Sequence, residues 1–561
     1  MALDGVDSVV IGLYFSLLVG LAFWAGRGGK ARAAETSTSF FLANRDASWW
    51  QVACAFFASN IGSDVLVGLA GNGAKYGLVC GIFDFGSPVF FVILGWVYLP
   101  FFLEAGVYTI PEFIELRFSR AVRQYLAAVS LVLYVIAKIS LAVISGSVVV
   151  QTVTDGAVSE FTTSVGLMAL SAGLVIGGGM RAIIVTEVLQ TVVLLSGSLA
   201  LLVISLREVG GWGKLRSALP ESHFHLLRSD DEAPYSASGV LLGYPLLAFW
   251  FHCTDQEMVQ RGLSAKSLRH GQGGCVAAGV LKFLPPLAFA IPGMCARLLF
   301  AKELGFCEGC TPTPDIAFPL LVSRLMPSGL RGLMMAAMLA ACGSVLASTF
   351  NSASTLFSMD VYRVLRPAAT ERTLVLVGRL TIAATCVFSL LWLPLVSSVS
   401  DTLFIAIQSM VACFAPSIAT LFIFAMFWPR ANVQGALAGL TVGHSIGTLR
   451  LVLVVSKFKP TRSVLTYEIM NMNFLNFAFA LALLTSIALV AGSLLSAPPS
   501  EEQLRWTWKT RAGGKYQRVA MELSELEEAP NRVPDRGGWI AEDLGAVALL
   551  VAVLAVFSYG A

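Results

Sequence analysis

The chain has 561 residues, of which 56% are hydrophobic and 13% charged, with a formal net charge of +3. Soluble chains carry about 25% charge, so this composition excludes a soluble, fibrous or disordered protein. The apolar residues gather in runs of about 20 between short basic or Gly/Pro-rich breaks, the pattern of an all-α polytopic membrane protein and not the alternation of a β-barrel.

The first run, 9–26, follows Asp4 and Asp7 and precedes Arg27, Lys30 and Arg32. A cleaved signal peptide has the opposite polarity, so a retained helix with its N-terminus outside is expected. Further spans are expected at 50–73, 81–104, 124–153, 161–180, 182–206, 238–253, 273–300, 330–360, 373–398, 402–428, 433–455, 472–496 and 541–559, about fourteen in all. Inside loops should be rich in Arg and Lys. Arg117/Arg120/Arg123, Arg261/Lys266/Arg269 and Arg363/Arg366/Arg372 fit that rule, and both termini then fall outside, as in a plasma-membrane protein. The pattern weakens at 450–471, where Arg450, Lys457, Lys459 and Arg462 would lie outside.

Two runs look broken. The second span holds Asn60-Ile61-Gly62 and then Gly68, Gly71 and Gly73; the seventh holds Gly243-Tyr244-Pro245 and ends in His252-Cys253-Thr254-Asp255. Five spans separate them, an odd number, so a five-span repeat returns inverted, as in transporters with interrupted helices around a midplane site. The expected layout is an extra helix and inside loop (1–49), two five-span repeats (50–237 and 238–430) and two additional spans (431–496). A polar inside linker (497–540, with Glu522, Glu525, Glu527 and Glu528) and a last span (541–561) complete it. Eight cysteines lie in or beside apolar runs. Cys307 and Cys310 sit in a polar CEGC segment without the second pair of a zinc site, and an outside position favours a disulfide. There is no GxxxxGK[ST] loop, no N-x-[ST] sequon and no basic stripe, so ATP, N-glycans and nucleic acid are not expected partners. No nucleophile–base pair suggests an enzyme.

Five segments carry a resemblance: SNIGSDVLVGLAGNGA (59–74), GWVYLPFFLEAGVYTIPEF (95–113), HCTDQEMVQRGLSAK (252–266), MPSGLRGLMMAAMLA (326–340) and FNSASTLFSMD (350–360). In order and spacing they resemble the sodium–glucose cotransporter branch of the sodium:solute symporter family, over about 40–430 and more loosely to the end. The resemblance implies a five-plus-five inverted-repeat (LeuT-like) core within the lipid bilayer. The implied activity is Na⁺-coupled symport of a sugar or polyol by alternating access.

The resemblance also implies the site. Asn60, Asp84, Lys282 and Gln408 match polar groups that hold solute hydroxyls, and Phe83 and Phe404 match apolar walls. Amides, a carboxylate and an ammonium together offer the donors and acceptors a polyol needs. An ionisable pair such as Asp84 and Lys282 within the membrane is expensive unless paired or functional. The chain departs from the family pattern at Val65, Ala248 and Phe251, which replace hydrogen-bonding His, Thr and Tyr, the last an inner-gate residue. His252 replaces a Trp and is open to two readings: a substitute solute contact, or a packed histidine bonded to backbone.

Carbonyls of Ala58, Ile61 and Ala341 and the hydroxyl of Ser344 match ligands of a Na⁺ site, whose further hydroxyl position is Val345. Ser348, one turn past Ser344, is a candidate substitute, although small residues at such spacing also make a plain packing face. Glu187 lies in Thr186-Glu187-Val188-Leu189-Gln190-Thr191, which resembles a second cation position; it is offered as a Na⁺ ligand, a proton acceptor or a partner of Arg181. Val345 also motivates a rival reading, a proton-coupled or uncoupled carrier, and the changes at Phe251 and His252 motivate a non-transporting solute sensor.

Overall fold

The structure is a computed structural model that describes residues 4–27, 36–154, 156–229, 234–396, 403–456, 471–512 and 541–560. Among these there is no β-strand, only an isolated bridge between Ala47 and Ala265. The main helices are α1 (Gly5–Arg27), α2 (Trp49–Asn60), α3 (Ser63–Tyr76), α4 (Ile82–Ile93), α5 (Arg120–Leu133), α6 (Glu160–Val209), α7 (Tyr244–Phe249), α8 (Gln256–Leu263) and α9 (Leu268–Leu281). They continue as α10 (Ile291–Leu299), α11 (Leu330–Leu356), α12 (Glu371–Val396), α13 (Leu403–Val411), α14 (Ala415–Phe427), α15 (Val433–Val455), α16 (Phe474–Leu494) and α17 (Ala541–Gly560).

Among the described residues 11 helices are long and apolar enough to cross a membrane. The fourteen expected runs differ from these in three places. The runs at 161–180 and 182–206 follow one another without a loop as α6, which is two helices joined across a sharp kink at Gly179. Gly179 has φ 55° and ψ −155°, and a Cβ there would meet the Phe40 carbonyl oxygen at 2.6 Å, so glycine is required. The run at 50–73 is the pair α2 and α3, and the run at 402–428 is the pair α13 and α14.

In α1, Tyr14, Leu18, Ala22 and Ala25 are buried, whereas Val9, Leu13, Leu17 and Trp24 are exposed. The three- and four-residue spacing puts the first set on one stripe, which packs against α6 and α11. At the head of this stripe Asp7 reaches α11. Its Oδ1 accepts the N–H groups of Gly329 and Gly332, both at 2.9 Å, and its Oδ2 accepts the Arg331 Nε at 2.7 Å. A carboxylate from α1 therefore caps the N-terminus of α11, where its charge also suits the helix dipole. Asp7→Ala leaves a buried guanidinium short of its main partner and should cost about 3 kcal/mol, the low end for a broken buried pair because Asp4 remains. Reversible unfolding in SDS–detergent mixtures measures this; a loss under about 1 kcal/mol would make the latch dispensable.

Two interruptions shape the centre. Between α2 and α3, Ile61 (φ −122°, ψ 71°) and Gly62 (φ −77°, ψ 175°) leave the helical ladder, and Ala58 O keeps a single long bond from Ile61 N at 3.4 Å. In the second broken run Gly243 stands between two short helices, Ala237–Leu242 and α7, but its dihedrals (φ −90°, ψ −44°) keep the chain near-helical and open no wide break. Gly243 instead allows close approach, because a Cβ there would collide with the Leu475 carbonyl of α16. The break lies after α7, where a π turn (Trp250–Thr254) leads into extended Asp255 before α8. Further π turns occupy Leu94–Tyr98, Tyr134–Ile139, Pro286–Ala290 and Phe357–Tyr362.

Cys307 and Cys310 form a disulfide. Arg450, one of the basic residues that disturbed the charge pattern, is buried: its Nη2 donates to Met472 O at 2.6 Å and the guanidinium lies 4.0 Å from the Phe477 ring centre. It is a strut between α15 and α16, while Lys457, Lys459 and Arg462 lie outside the described residues. The first part of the expected 497–540 linker docks on the body, with Gln503 Nε2 donating to Phe118 O at 2.6 Å and Trp506 edge-on to Phe113 at 5.9 Å. Residues 513–540, with the Glu-rich patch, lie outside the described residues.

Candidate functional site

A cavity lies between the two interruptions. Six of the seven residues expected at the solute site line it: Asn60, Phe83, Asp84, His252, Lys282 and Gln408. The seventh, Phe404, is on α13, and its side chain lies outside the described residues.

The strongest feature is an ion pair. Lys282, at the C-terminal cap of α9, donates from Nζ to Asp84 Oδ1 on α4 at 2.5 Å, and both side chains are buried. A cation at a helix C-terminus is favoured by the carbonyls there. Asn60, the last residue of α2, approaches His252, with Nδ2 to Nε2 at 3.4 Å, while His252 Nδ1 bonds to Ala248 O at 2.9 Å. A carbonyl only accepts, so Nδ1 carries the proton and Nε2 accepts from the Asn60 amide. His252 is thus bonded to backbone, and its other nitrogen meets Asn60 at the cavity wall. Val65, Ala248 and Phe251 line the same cavity, so the three apolar departures fall on one surface.

Sequence reasoning missed two parts of the lining. Tyr244 donates its hydroxyl to Phe83 O at 3.1 Å and packs edge-on to the Phe83 ring at 5.0 Å; it stood in the Gly-Tyr-Pro segment that was read for its glycine and proline. Lys138, in the π turn after α5, bonds to Asp255 Oδ2 and to Glu257 Oε2, the latter at 2.7 Å. The Tyr134 hydroxyl donates to Asp255 Oδ1 at 2.7 Å, and the Lys138 ammonium lies 5.2 Å from the Phe251 ring centre. A lysine within an apolar span was the available signal.

The cation residues divide. Ala58 and Ile61 flank the α2–α3 break, and Ala341 and Ser344 lie on α11. The Ser344 hydroxyl is buried and has no hydrogen-bond partner among the described residues; it lines a smaller cavity with Thr186 and Gln190, between α1, α6 and α11. Val345 faces the solute cavity. Ser348 donates to Glu187 Oε1 at 3.1 Å and accepts from Arg261. Arg261 Nη2 also donates to Glu187 Oε1 at 2.8 Å. Glu187 is therefore paired with Arg261 and not with Arg181, which is exposed.

The family model described as the sodium:solute symporter family matches residues 40–443. Human "Sodium/glucose cotransporter 4" is 37% identical over 97% of this chain and 84% of its own length. Bovine "Sodium/myo-inositol cotransporter 2" is 37% identical over 91% and 80%, and mouse "Sodium/glucose cotransporter 1" 36% over 95% and 85%. A solved structure, the "substrate-bound outward-open state of a Na+-coupled sialic acid symporter", superposes with a TM-score of 0.73 at 19% identity and covers 89% of this chain and 99% of that one. The arrangement of broken helices around a buried polar cavity is thus a known one, an all-α, multi-pass membrane fold of the LeuT-like class. On the extent of these matches, the chain belongs to the sodium:solute symporter family.

Proposed function

We propose that this chain is a secondary active transporter that carries a sugar or polyol inward with Na⁺ by alternating access. The observation that carries the reading is the buried Asp84–Lys282 pair set in one cavity with Asn60, His252 and Gln408, directly beside the α2–α3 break. The named activities of the relatives, glucose and myo-inositol cotransport, support the same solute class. Solute hydroxyls bond to these polar groups, with Phe83 and Phe404 as walls and Phe251 as the inner gate. Na⁺ sits at the carbonyls of Ala58, Ile61 and Ala341 and the hydroxyl of Ser344, where it holds the break in a solute-binding form. Each inward charge at 100 mV supplies about 2.3 kcal/mol, enough for accumulation of tens-fold. The repeats are residues 50–237 and 238–430, the membrane is the plasma membrane, and both ends of the chain face outside. The protein performs no bond chemistry and is not an enzyme.

A second reading, Na⁺-independent carriage, is favoured by one observation: the apolar Val345 where a further hydroxyl ligand is expected, with Ser348 already engaged by Glu187 and Arg261. The test is labelled uptake of hexoses and myo-inositol, with current recorded, in cells expressing the chain. Uptake and current that both vanish when choline replaces Na⁺ are expected. Uptake that persists in choline establishes the second reading, and current without uptake establishes a sensor.

A further inference from the structure

The floor of the solute cavity is one positive charge short. Lys138 is shared between Asp255 and Glu257, and Arg261 pairs with Glu187, so this group of described side chains holds three carboxylates and two cations. Asp84 and Lys282 balance one another and add nothing. Two carboxylate oxygens of the group have no partner among the described residues, Glu187 Oε2 and Glu257 Oε1, and of the two residues only Glu257 lines the solute cavity. Glu257 is 2% exposed, Lys138 donates to its Oε2 at 2.7 Å, and the Thr349 hydroxyl lies near the same oxygen. A buried carboxylate oxygen left unpaired is costly, and the cost falls when a cation fills the place.

The other oxygen of the Glu257 carboxylate, Oε2, places the group. Thr349, on α11, donates to Val345 O at 2.9 Å and lies 3.3 Å from Glu257 Oε2, so the carboxylate sits within one helical turn of Val345. Val345, Glu257 and, at the α2–α3 break, Gly62 all line the same cavity. Ser348 points to Glu187 and Arg261 and does not replace the absent hydroxyl. We infer that the Glu257 carboxylate is a cation ligand, which binds Na⁺ through Oε1 beside the α2–α3 break in place of the hydroxyl missing at 345. Hard monovalent and divalent cations alike take oxygen ligands, and a carboxylate is a stronger one than a hydroxyl. The ion then cancels the surplus charge of the floor, so Na⁺ binding and closure of the charged network become one event.

This inference rests on the Na⁺-coupled reading above, and the experiment separates the two. The full chain is purified in detergent, and its unfolding temperature is followed as NaCl replaces choline chloride at constant ionic strength, with no solute present. A ligand at free concentration c that binds the folded state stabilises it by RT ln(1 + c/Kd), and fitting the rise in unfolding temperature to that curve gives the concentration at which half the sites are filled, the half-effect concentration. For wild type, Na⁺ stabilises with a measurable half-effect concentration. In Glu257→Gln that concentration should rise at least about tenfold. In Glu257→Gln/Val345→Ser the restored hydroxyl should bring it back to within about threefold of wild type. Val345→Ser alone covers the case in which Glu257→Gln does not fold: with the carboxylate already in place, the added hydroxyl should tighten Na⁺ binding by less than about threefold. Tightening of tenfold or more in that single variant, or a Glu257→Gln protein with the wild-type half-effect concentration, overturns the inference and leaves Na⁺ coupling standing. A wild-type protein that does not respond to Na⁺ overturns both.

Discussion

Lys282→Ala will abolish solute uptake and lower the stability of the protein by about 3–5 kcal/mol, the usual cost of removing one partner from a buried pair. Asp84 would then face the cavity as an uncompensated charge, since the described bond to its Oδ1 comes from Lys282 at 2.5 Å. Asp84→Asn should do similar damage from the other side. The double variant Asp84→Asn/Lys282→Gln removes both charges, so most of the stability returns, yet uptake does not, because the solute loses an ionised acceptor and an ionised donor. Unfolding midpoints read the first effect and labelled uptake at matched surface expression reads the second. Should the double variant transport at the wild-type rate, the pair is a strut between α4 and α9 and the solute site must be sought elsewhere in the cavity.

The largest effect on folding is expected at Arg261. Its guanidinium is buried and joins four helices: Nε donates to Ala55 O of α2 at 3.1 Å, Nη1 to the backbone carbonyl of Glu257 in α8, and Nη2 both to Glu187 of α6 at 2.8 Å and to Ser348 of α11. Arg261→Ala leaves the buried Glu187 carboxylate without its cation and removes the tie between the four helices, for a loss of about 4 kcal/mol or more, on the order of a small domain's whole stability. Arg261→Lys should not rescue it, because an ammonium cannot reproduce a planar fork aimed at four acceptors. Glu187→Gln keeps an acceptor for Arg261 and should cost about 1–3 kcal/mol. The yield of monodisperse protein after size-exclusion chromatography ranks the three. A normal yield for Arg261→Lys would show that charge alone, and not geometry, holds this junction.

Arg261 also marks the limit of what could be read from the chain. The membrane class followed from composition, and the break at Ile61-Gly62 from a polar tetrad followed by glycines. Asp84 and Lys282 were matched through the family resemblance, with the added argument that charges within a membrane are expensive unless paired or functional, and the structure pairs them. Partners far apart in sequence were a different matter. Glu187 had Arg181 six residues away as its visible candidate, yet its partner is Arg261, 74 residues on. Lys138 finds Asp255 and Glu257 at separations of 117 and 119, through a local π turn that no hydrophobic period announces. Gly243 looked like a hinge and proved to be a contact point for α16, because a missing Cβ serves close approach as readily as it serves a bend. Arg450 looked like a loop charge and is an internal strut, since the sequence shows that a charge exists but not which way its side chain turns.

The π turn at Tyr134–Ile139 carries a consequence for how this chain tolerates insertion and deletion. A π turn holds one residue more than the α turn it interrupts. Loss of a single residue there would let the turn close into a regular ladder with the flanking turns still in register, while the residues within the turn, Lys138 among them, would move to new positions around the axis by up to about 100°. Lys138 would then leave Asp255 and Glu257 with no change in the composition of the span. The π turn at Trp250–Thr254 is in the same position, because His252 and the approach to Asp255 depend on its extra residue. In a comparison of relatives, a one-residue gap at either place is therefore a rewiring of the cavity floor, whereas the same gap in the exposed connection before Glu160 is a change of loop length and nothing more.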